Sequence, residues 1–477
     1  MATVSKSSPP QNVPHAVTEP DKIPARRYYD QAFFDLECEK LWPRVWQMAC
    51  RLEEIPKRGD YVVYENVGHS VIVTRVDENT VKAYHNHCRH RGVQLAKDRG
   101  CRPGGFVCPF HGWAWNIEGQ CTFVFGEELF NKRNLDPQEL KLRECRVETW
   151  GGCAFINLDD SAPPLRECIA SFADLHDPWH VDTLRVEWWY AATIPCNWKL
   201  AMEAFMEGYH VLATHPQLVG PEVPRGRGAT YGLIGERAKG FRYFTQVANP
   251  PADAKVDPRQ VVESTIHFMR VLNVGMAGMA HEKDVRIAEG LRNTPLPEDP
   301  MDAMVQFRRK LNDAVMAWHR NAGMDVPDLN FIDETDRDEA VNFCFPHFFL
   351  LPTLSSASSY RIRPLGPEQC LFELWSLTRY PPGQEPPPIK TPTPVPHDDP
   401  QWPPIPAQDY SNLPRQQKGL HSKGFEYMRL SDKVEGLISN YHRLIDGYLG
   451  GQPDEKLTAA ARKVSGPIDV PIADLGF

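Results

Sequence analysis

Cys88 and His90 stand one residue apart, Cys108 and His111 two apart, and seventeen residues separate the two pairs. Each pair, set on a β-hairpin tip, can aim one thiolate and one imidazole at a shared centre. Two thiolates hold a ferric ion well, and two neutral imidazoles hold a second iron that is easier to reduce. Exchanging two of four thiolates for histidines removes negative charge and raises the potential of such an iron–sulfur pair. Gly92 follows the first pair and Gly112-Trp113 the second, giving tight turns around the ligands. A structural zinc ion is the competing occupant. Cys2His2 zinc sites, however, group Cys with Cys and His with His, whereas here they alternate. Buried free thiols are the plain alternative.

A second constellation is Glu207, His210 and His215. On a helix Glu207 and His210, three apart, share a face. His215 would be turned roughly 140° from His210 at about 100° per residue. Pro216 biases the residue before it away from α geometry, so His215 is expected at the unwound end of the helix, able to swing back. Two imidazoles and one carboxylate make the facial triad of non-heme Fe(II), with open positions for O2. The plain alternative is a pair of hydrogen-bonded core histidines.

CRHRG at 88–92 and CPFHGW at 108–113 resemble the two signature loops of Rieske oxygenases. Respiratory Rieske proteins carry an extra disulfide-forming Cys in each loop, absent here. Cys101 and Cys121 are expected to be ordinary buried thiols, and His85 and His87 are not needed as ligands. The stretch from Asn197-Trp198-Lys199 through Glu203 to His215 is similar to the NWK…ENFxDxYHxxxxH pattern of the family's catalytic domain. Ala204 stands in place of the usual Asn and Glu207 in place of the usual Asp. In that family an Asp precedes Gln-x-Gly-Leu by eight residues; Asp409 and Gln417-Lys418-Gly419-Leu420 match. Asp398 and Asp399 are rivals, and a loop Asp capping the next turn is the plain reading.

The resemblance implies a Rieske [2Fe–2S] cluster on Cys88, His90, Cys108 and His111, and a mononuclear Fe(II) on His210, His215 and Asp409. It implies a head-to-tail homotrimer, with or without a beta subunit, in which Glu207 links a cluster histidine of one subunit to an iron histidine of the next. FPHFFLLP at 345–352 resembles the strand that walls the family's substrate pocket, with His347 where an Asn is common. Phe205, Met206, Leu212 and the 343–354 strand would suit an apolar or aromatic molecule. His347 either bonds a polar substituent or is a satisfied wall residue.

The elements that must position these groups follow from pattern. A chain of 477 residues, 42% hydrophobic and 10% aromatic, is globular and long enough for two domains. Its net charge of −9 favours neither nucleic acid nor an anionic membrane. The first residues hold no apolar stretch of a secretory signal, and no apolar run reaches the ~18 residues of a span. A cytoplasmic protein is expected, and its twelve cysteines are no disulfide framework. Residues 1–25 read as a disordered or surface-wrapping tail. Residues 30–46 read as an amphipathic helix broken near Pro43, and 59–88 as strand–turn–strand. Residues 196–216 and 300–322 read as helices, 343–380 as strands, and the Pro-rich stretch as an extended surface loop. The last clear element is a helix over 432–449 with Ser431 as N-cap.

The expected fold is α+β. An N-terminal tail and helix (1–45) precede a Rieske antiparallel β domain (46–160). A catalytic domain (161–477) follows, with an antiparallel sheet flanked by helices (helix-grip, START-like) and a Pro-rich insertion at 381–406. No G-x-G-x-x-G follows a strand, so an NAD(P)H-dependent reductase, with or without a ferredoxin, is expected to deliver electrons near His90 and His111. The chemistry implied is hydroxylation (mono- or cis-di-) or oxidative demethylation of an apolar small molecule, an aromatic one first. A Rieske electron carrier and a zinc-stabilised interaction protein are the alternatives.

Overall fold

The computed structural model describes residues 12–215, 217–218, 258–276, 278–335, 337, 341–468 and 470–477. Short β-branched and aromatic runs between residues 47 and 157 form a seven-stranded antiparallel sheet. Its order is Gln47–Arg51, Cys153–Asn157, Glu144–Trp150, Val81–His85, His69–Arg75, Asp60–Asn66, Arg99–Cys101. A three-stranded sheet of Phe106–Val107, Ala114–Trp115 and Cys121–Phe123 joins it. Tyr61, Ile72, Tyr84, Phe106, Trp113 and Trp115 pack in one cluster with Cys88 and Cys108, so both Cys-bearing loops are anchored in the same core.

A second seven-stranded sheet runs Thr393–Pro394, Arg185–Ile194, Gln369–Thr378, Ser356–Gly366, Phe348–Thr353, Asn342–Cys344, Gly466–Pro467. It is antiparallel except where Thr393–Pro394 pairs parallel with Arg185–Ile194. Strand residues alternate between its faces. Phe349 and Leu351 join Leu437, Tyr441 and Leu444 of the Gly436–Leu449 helix. Phe348 and Leu350 join Met48 and Phe155 of the first sheet and Phe307 and Leu311 of the Pro300–Asn321 helix. Covered on both faces, the strand reads FFLL rather than alternating. The mixture of antiparallel sheets and helices is the expected α+β architecture.

Several expectations are corrected. From Asn12 onward the N-terminal stretch wraps onto the protein, the second of its two readings, and the disordered one is set aside there; residues 1–11 lie outside the described residues. Val13 and Val17 are buried, and Lys22–Pro24 pairs with Tyr427–Arg429. Buried Arg27 donates to Asp446 Oδ1 at 2.6 Å and to His442 Nδ1 at 3.1 Å. The helix expected over 432–449 begins at Gly436, and Ser431 N–H instead donates to Glu435 Oε2 at 2.7 Å. A further helix, Asp454–Val464, follows it. The Pro-rich stretch gives way at Pro404 to the helix Pro404–Leu420, because proline fits a helix's first turn, where its missing N–H has no intrahelical partner. Cys101 is exposed and Cys121 half-buried, since each lies on a short edge strand.

Candidate metal centres

The two Cys–His loops have the same backbone geometry. Cys88 N–H donates to Val93 O at 2.8 Å, and Gly92 N–H to Cys88 O at 3.0 Å; Cys108 N–H donates to Trp113 O at 2.8 Å, and Gly112 N–H to Cys108 O at 3.1 Å. Gly92 and Gly112 have φ +77° and +73°, and a Cβ on either would meet nothing within 4 Å. Backbone conformation, not space, selects glycine there. The His90 and His111 ring centroids are 4.7 Å apart, and His90 lies stacked on Trp113 at 4.7 Å and 9°.

The electrostatics favour a thiolate at Cys108 and a neutral imidazole at His90. Burial pushes the Cys108 thiol up, but the amides of Phe110 and His111 and the Cys88 thiol outweigh it and leave it below the usual thiol range. Burial holds Cys88 above that range. Burial, His111 and Arg91 all lower the His90 imidazole. His90 Nδ1 is buried with no hydrogen-bond partner among the described residues. An orphaned imidazole nitrogen beside two close thiols fits a metal-ligand role.

The second constellation does not lie on one regular helix. Trp198–Glu203 and Val211–Thr214 are separate short helices, and Glu207 sits in the break between them. Its Oε2 accepts His210 N–H at 2.9 Å, a local side-chain bond that competes with helix continuation. His215, at φ −118° and ψ 61°, has left α geometry before Pro216. One donor atom from each of His210, His215 and Asp409 lies within 4.8 Å of the others. His215 Nε2 is 3.0 Å from Asp409 Oδ1, and His210 Nε2 is 3.8 Å from the same oxygen. His210 Nδ1 faces Glu207 Oε1 at 2.6 Å, and His215 Nδ1 faces Gln408 Oε1 at 2.7 Å. Both Nε2 atoms are thereby turned toward the carboxylate, the donor set of a 2-His-1-carboxylate iron site.

Asp409 belongs to the Pro404–Leu420 helix, not to a loop, and is buried. The same helix carries Gln417, whose Oε1 accepts Asn197 N–H at 2.8 Å and ties the segment that precedes His210 to the one carrying Asp409. Asp398 and Asp399 do not belong to the group of three.

The expected pocket residues are placed differently. Phe205 packs on Tyr360, Phe372 and Phe349 at 4.8, 5.6 and 5.9 Å, and Met206 is fully buried, so both fill the core. The Leu212 side chain lies outside the described residues. His347 is satisfied, as the second of its two readings has it: its Nε2 accepts Met48 N–H at 3.0 Å and its Nδ1 donates to Ile362 O at 3.2 Å, so it clamps the first sheet to the second. Gln408 went unread in the sequence, and Trp113 was read as part of a turn but not as the ring that stacks on His90. Each adjoins a proposed ligand motif, but its partner becomes visible only on folding.

The family model described as Ring hydroxylating alpha subunit (catalytic domain) matches residues 181–451, more than half of the chain. The Rieske [2Fe-2S] domain model matches residues 45–127. The chain is 30% identical over 197 residues to the glycine betaine monooxygenase oxygenase subunit of Pseudomonas aeruginosa (strain UCBPP-PA14), covering 41% of this chain and 45% of that protein. It is 29% identical over 205 residues to the biphenyl dioxygenase subunit alpha of Paraburkholderia xenovorans (strain LB400), covering 41% and 45%. The chain thus spans about half the length of the curated relatives it matches. Among solved structures, the apo form of a quaternary ammonium Rieske monooxygenase superposes with a TM-score of 0.56 at 15% identity, over 91% of this chain and 97% of that one. Naphthalene 1,2-dioxygenase with indole bound superposes with a TM-score of 0.59 at 18% identity, over 92% and 94%. These likenesses speak to the fold. Among the described residues no helix is long and apolar enough to cross a membrane.

Proposed function

The chain belongs to the ring-hydroxylating alpha-subunit family, and we propose that it is the oxygenase component of a multicomponent system, using O2 and externally supplied electrons to hydroxylate or oxidatively demethylate a small organic molecule. The observation that carries this reading is the convergence of His210, His215 and Asp409 in a chain that also holds two Cys–His loops of matched geometry. When bound, a Rieske pair on Cys88, His90, Cys108 and His111 supplies single electrons, and a ferrous ion on His210, His215 and Asp409 supplies an open position for O2.

The side chains themselves do the rest. Glu207 and Gln408 hold the Nδ1 sides of the two imidazoles and so turn Nε2 inward. His215 and Asp409 are buried, while His210 stays partly exposed. We read Glu207 as the link from His210 to a cluster histidine of a neighbouring subunit in a homotrimer, with an NAD(P)H-dependent reductase as electron source. The division into 1–45, 46–160 and 161–477 belongs to the same reading. For substrate we favour an apolar molecule, as the biphenyl dioxygenase subunit alpha among its relatives suggests.

The test is the metal content and colour of the anaerobically reconstituted protein. About three irons per chain, red-brown absorbance and a rhombic EPR signal on reduction are expected. Two irons would make it an electron carrier, and zinc without colour a scaffold; either overturns the oxygenase reading.

A further inference from the structure

We propose that Gln408 is a positioning residue for His215, holding the ring at Nδ1 so that Nε2 faces Asp409. The inference rests on the reading of His210, His215 and Asp409 as a metal-binding group. Gln408 Oε1 is 2.7 Å from His215 Nδ1, while Asp409 Oδ1 is 3.0 Å from His215 Nε2. Two consecutive residues of the Pro404–Leu420 helix therefore reach the two ends of the same imidazole.

The orientation of the Gln408 amide is itself held. Gln217 Nε2 donates to Gln408 Oε1 at 2.8 Å, and Gln408 Nε2 faces Gln217 Oε1 at 3.4 Å, so the two amides pair head to tail. An oxygen that already receives the Gln217 N–H is presented to His215 as an acceptor. His215 then carries its proton on Nδ1 and turns the Nε2 lone pair toward Asp409. Gln217 is anchored in turn, its backbone oxygen lying 3.1 Å from His267 Nε2 on the Pro258–Gly275 helix.

The two imidazoles are therefore supported unequally. His210 has a carboxylate behind it and His215 a neutral amide. A carboxylate raises the basicity of the imidazole it holds more than an amide does. A neutral partner at His215 also avoids setting a second carboxylate directly beside Asp409, where like charges raise one another's pKa. Gln408 fixes the tautomer without adding charge.

Fe(II) titration of the cluster-loaded protein, stripped of mononuclear iron and read by metal analysis after desalting, tests this. Gln408→Leu keeps the bulk and removes the acceptor; Fe(II) affinity should fall about 10–100-fold. Cluster absorbance should stay unchanged. Gln408→Glu keeps an acceptor at the same reach but sets a second carboxylate beside Asp409, so it should recover only part of the lost affinity. Fe(II) binding by Gln408→Leu at wild-type strength, or by Gln408→Glu as weakly as by Gln408→Leu, overturns the proposal. Should Gln408→Leu not fold, Gln217→Leu, which frees the amide to turn, should weaken binding in the same direction, and unchanged binding counts against the proposal. Asp409→Ala separates the two levels. If it binds Fe(II) as wild type does, the metal-site reading itself fails. If it loses Fe(II) while Gln408→Leu does not, only the role of Gln408 fails.

Discussion

Glu207 holds His210 twice, with Oε1 2.6 Å from the ring Nδ1 and Oε2 accepting the backbone N–H at 2.9 Å. The double grip explains how a residue in a helix break, rather than on a helix face, can orient an imidazole. It also explains why the extra methylene of Glu relative to Asp is accommodated: the longer chain folds back onto the residue three positions on.

Glu207→Gln keeps the shape and an acceptor oxygen but removes the charge. Both metals should remain at wild-type stoichiometry, while reoxidation of the reduced cluster by O2 slows about 10–100-fold. Stopped-flow absorbance of the cluster band measures this directly. A rate near wild type would remove Glu207 from the electron route.

Asp409→Ala takes away the carboxylate that both Nε2 atoms face. Iron should drop from about three to about two per chain, with the reduced-cluster EPR signal unchanged. Retention of the third iron would shift the ligand to another acid.

Gly92→Ala and Gly112→Ala each force a side chain into the left-handed region without a steric clash. The cost should be about 1–2 kcal/mol of local backbone energy. Reduced cluster incorporation and a lower melting temperature are expected. Gly104→Ala is the control, because its φ is not positive and its Cβ would meet nothing within 4 Å; it should behave as wild type.

His347 is held neutral by burial, with Arg361 and Arg363 adding to the effect, which lowers it to about 3. An unfolded chain protonates its histidines near pH ~6.5. Between about pH 6.5 and 3 the unfolded state therefore binds the extra proton, and this residue's contribution to stability falls as pH falls through that window. His347→Met cannot charge, so its acid-side loss should be shallower. At pH 7 it should be less stable by about 1–3 kcal/mol, because Met48 N–H loses its acceptor. Urea melts across pH distinguish the two effects, and parallel pH profiles for the two proteins would rule out His347 as the titrating group.

What could be read from the sequence was the chemistry whose geometry is local. Cys88 with His90, and Cys108 with His111, lie within single turns, so spacing and the following glycine were enough to pair them. His215 could be placed at a helix end because Pro216 acts on its immediate neighbour. Strand and helix periodicity likewise yielded the α+β architecture, since side-chain alternation is a property of short segments. The break that holds Glu207 was missed because its cause is a side chain bonding its own backbone, in competition with the helix pattern around it.

The partners that fold back from far along the chain could not be read. Gln408 meets His215 across 193 positions, and His347 meets Met48 across 299. A lone amide or imidazole in sequence carries no sign of which distant N–H or ring nitrogen it will satisfy. Composition and spacing by themselves determined which donor atoms are present and which stand on a common turn. Only the tertiary packing, by burying those atoms where water cannot substitute, decided which of them must face one another.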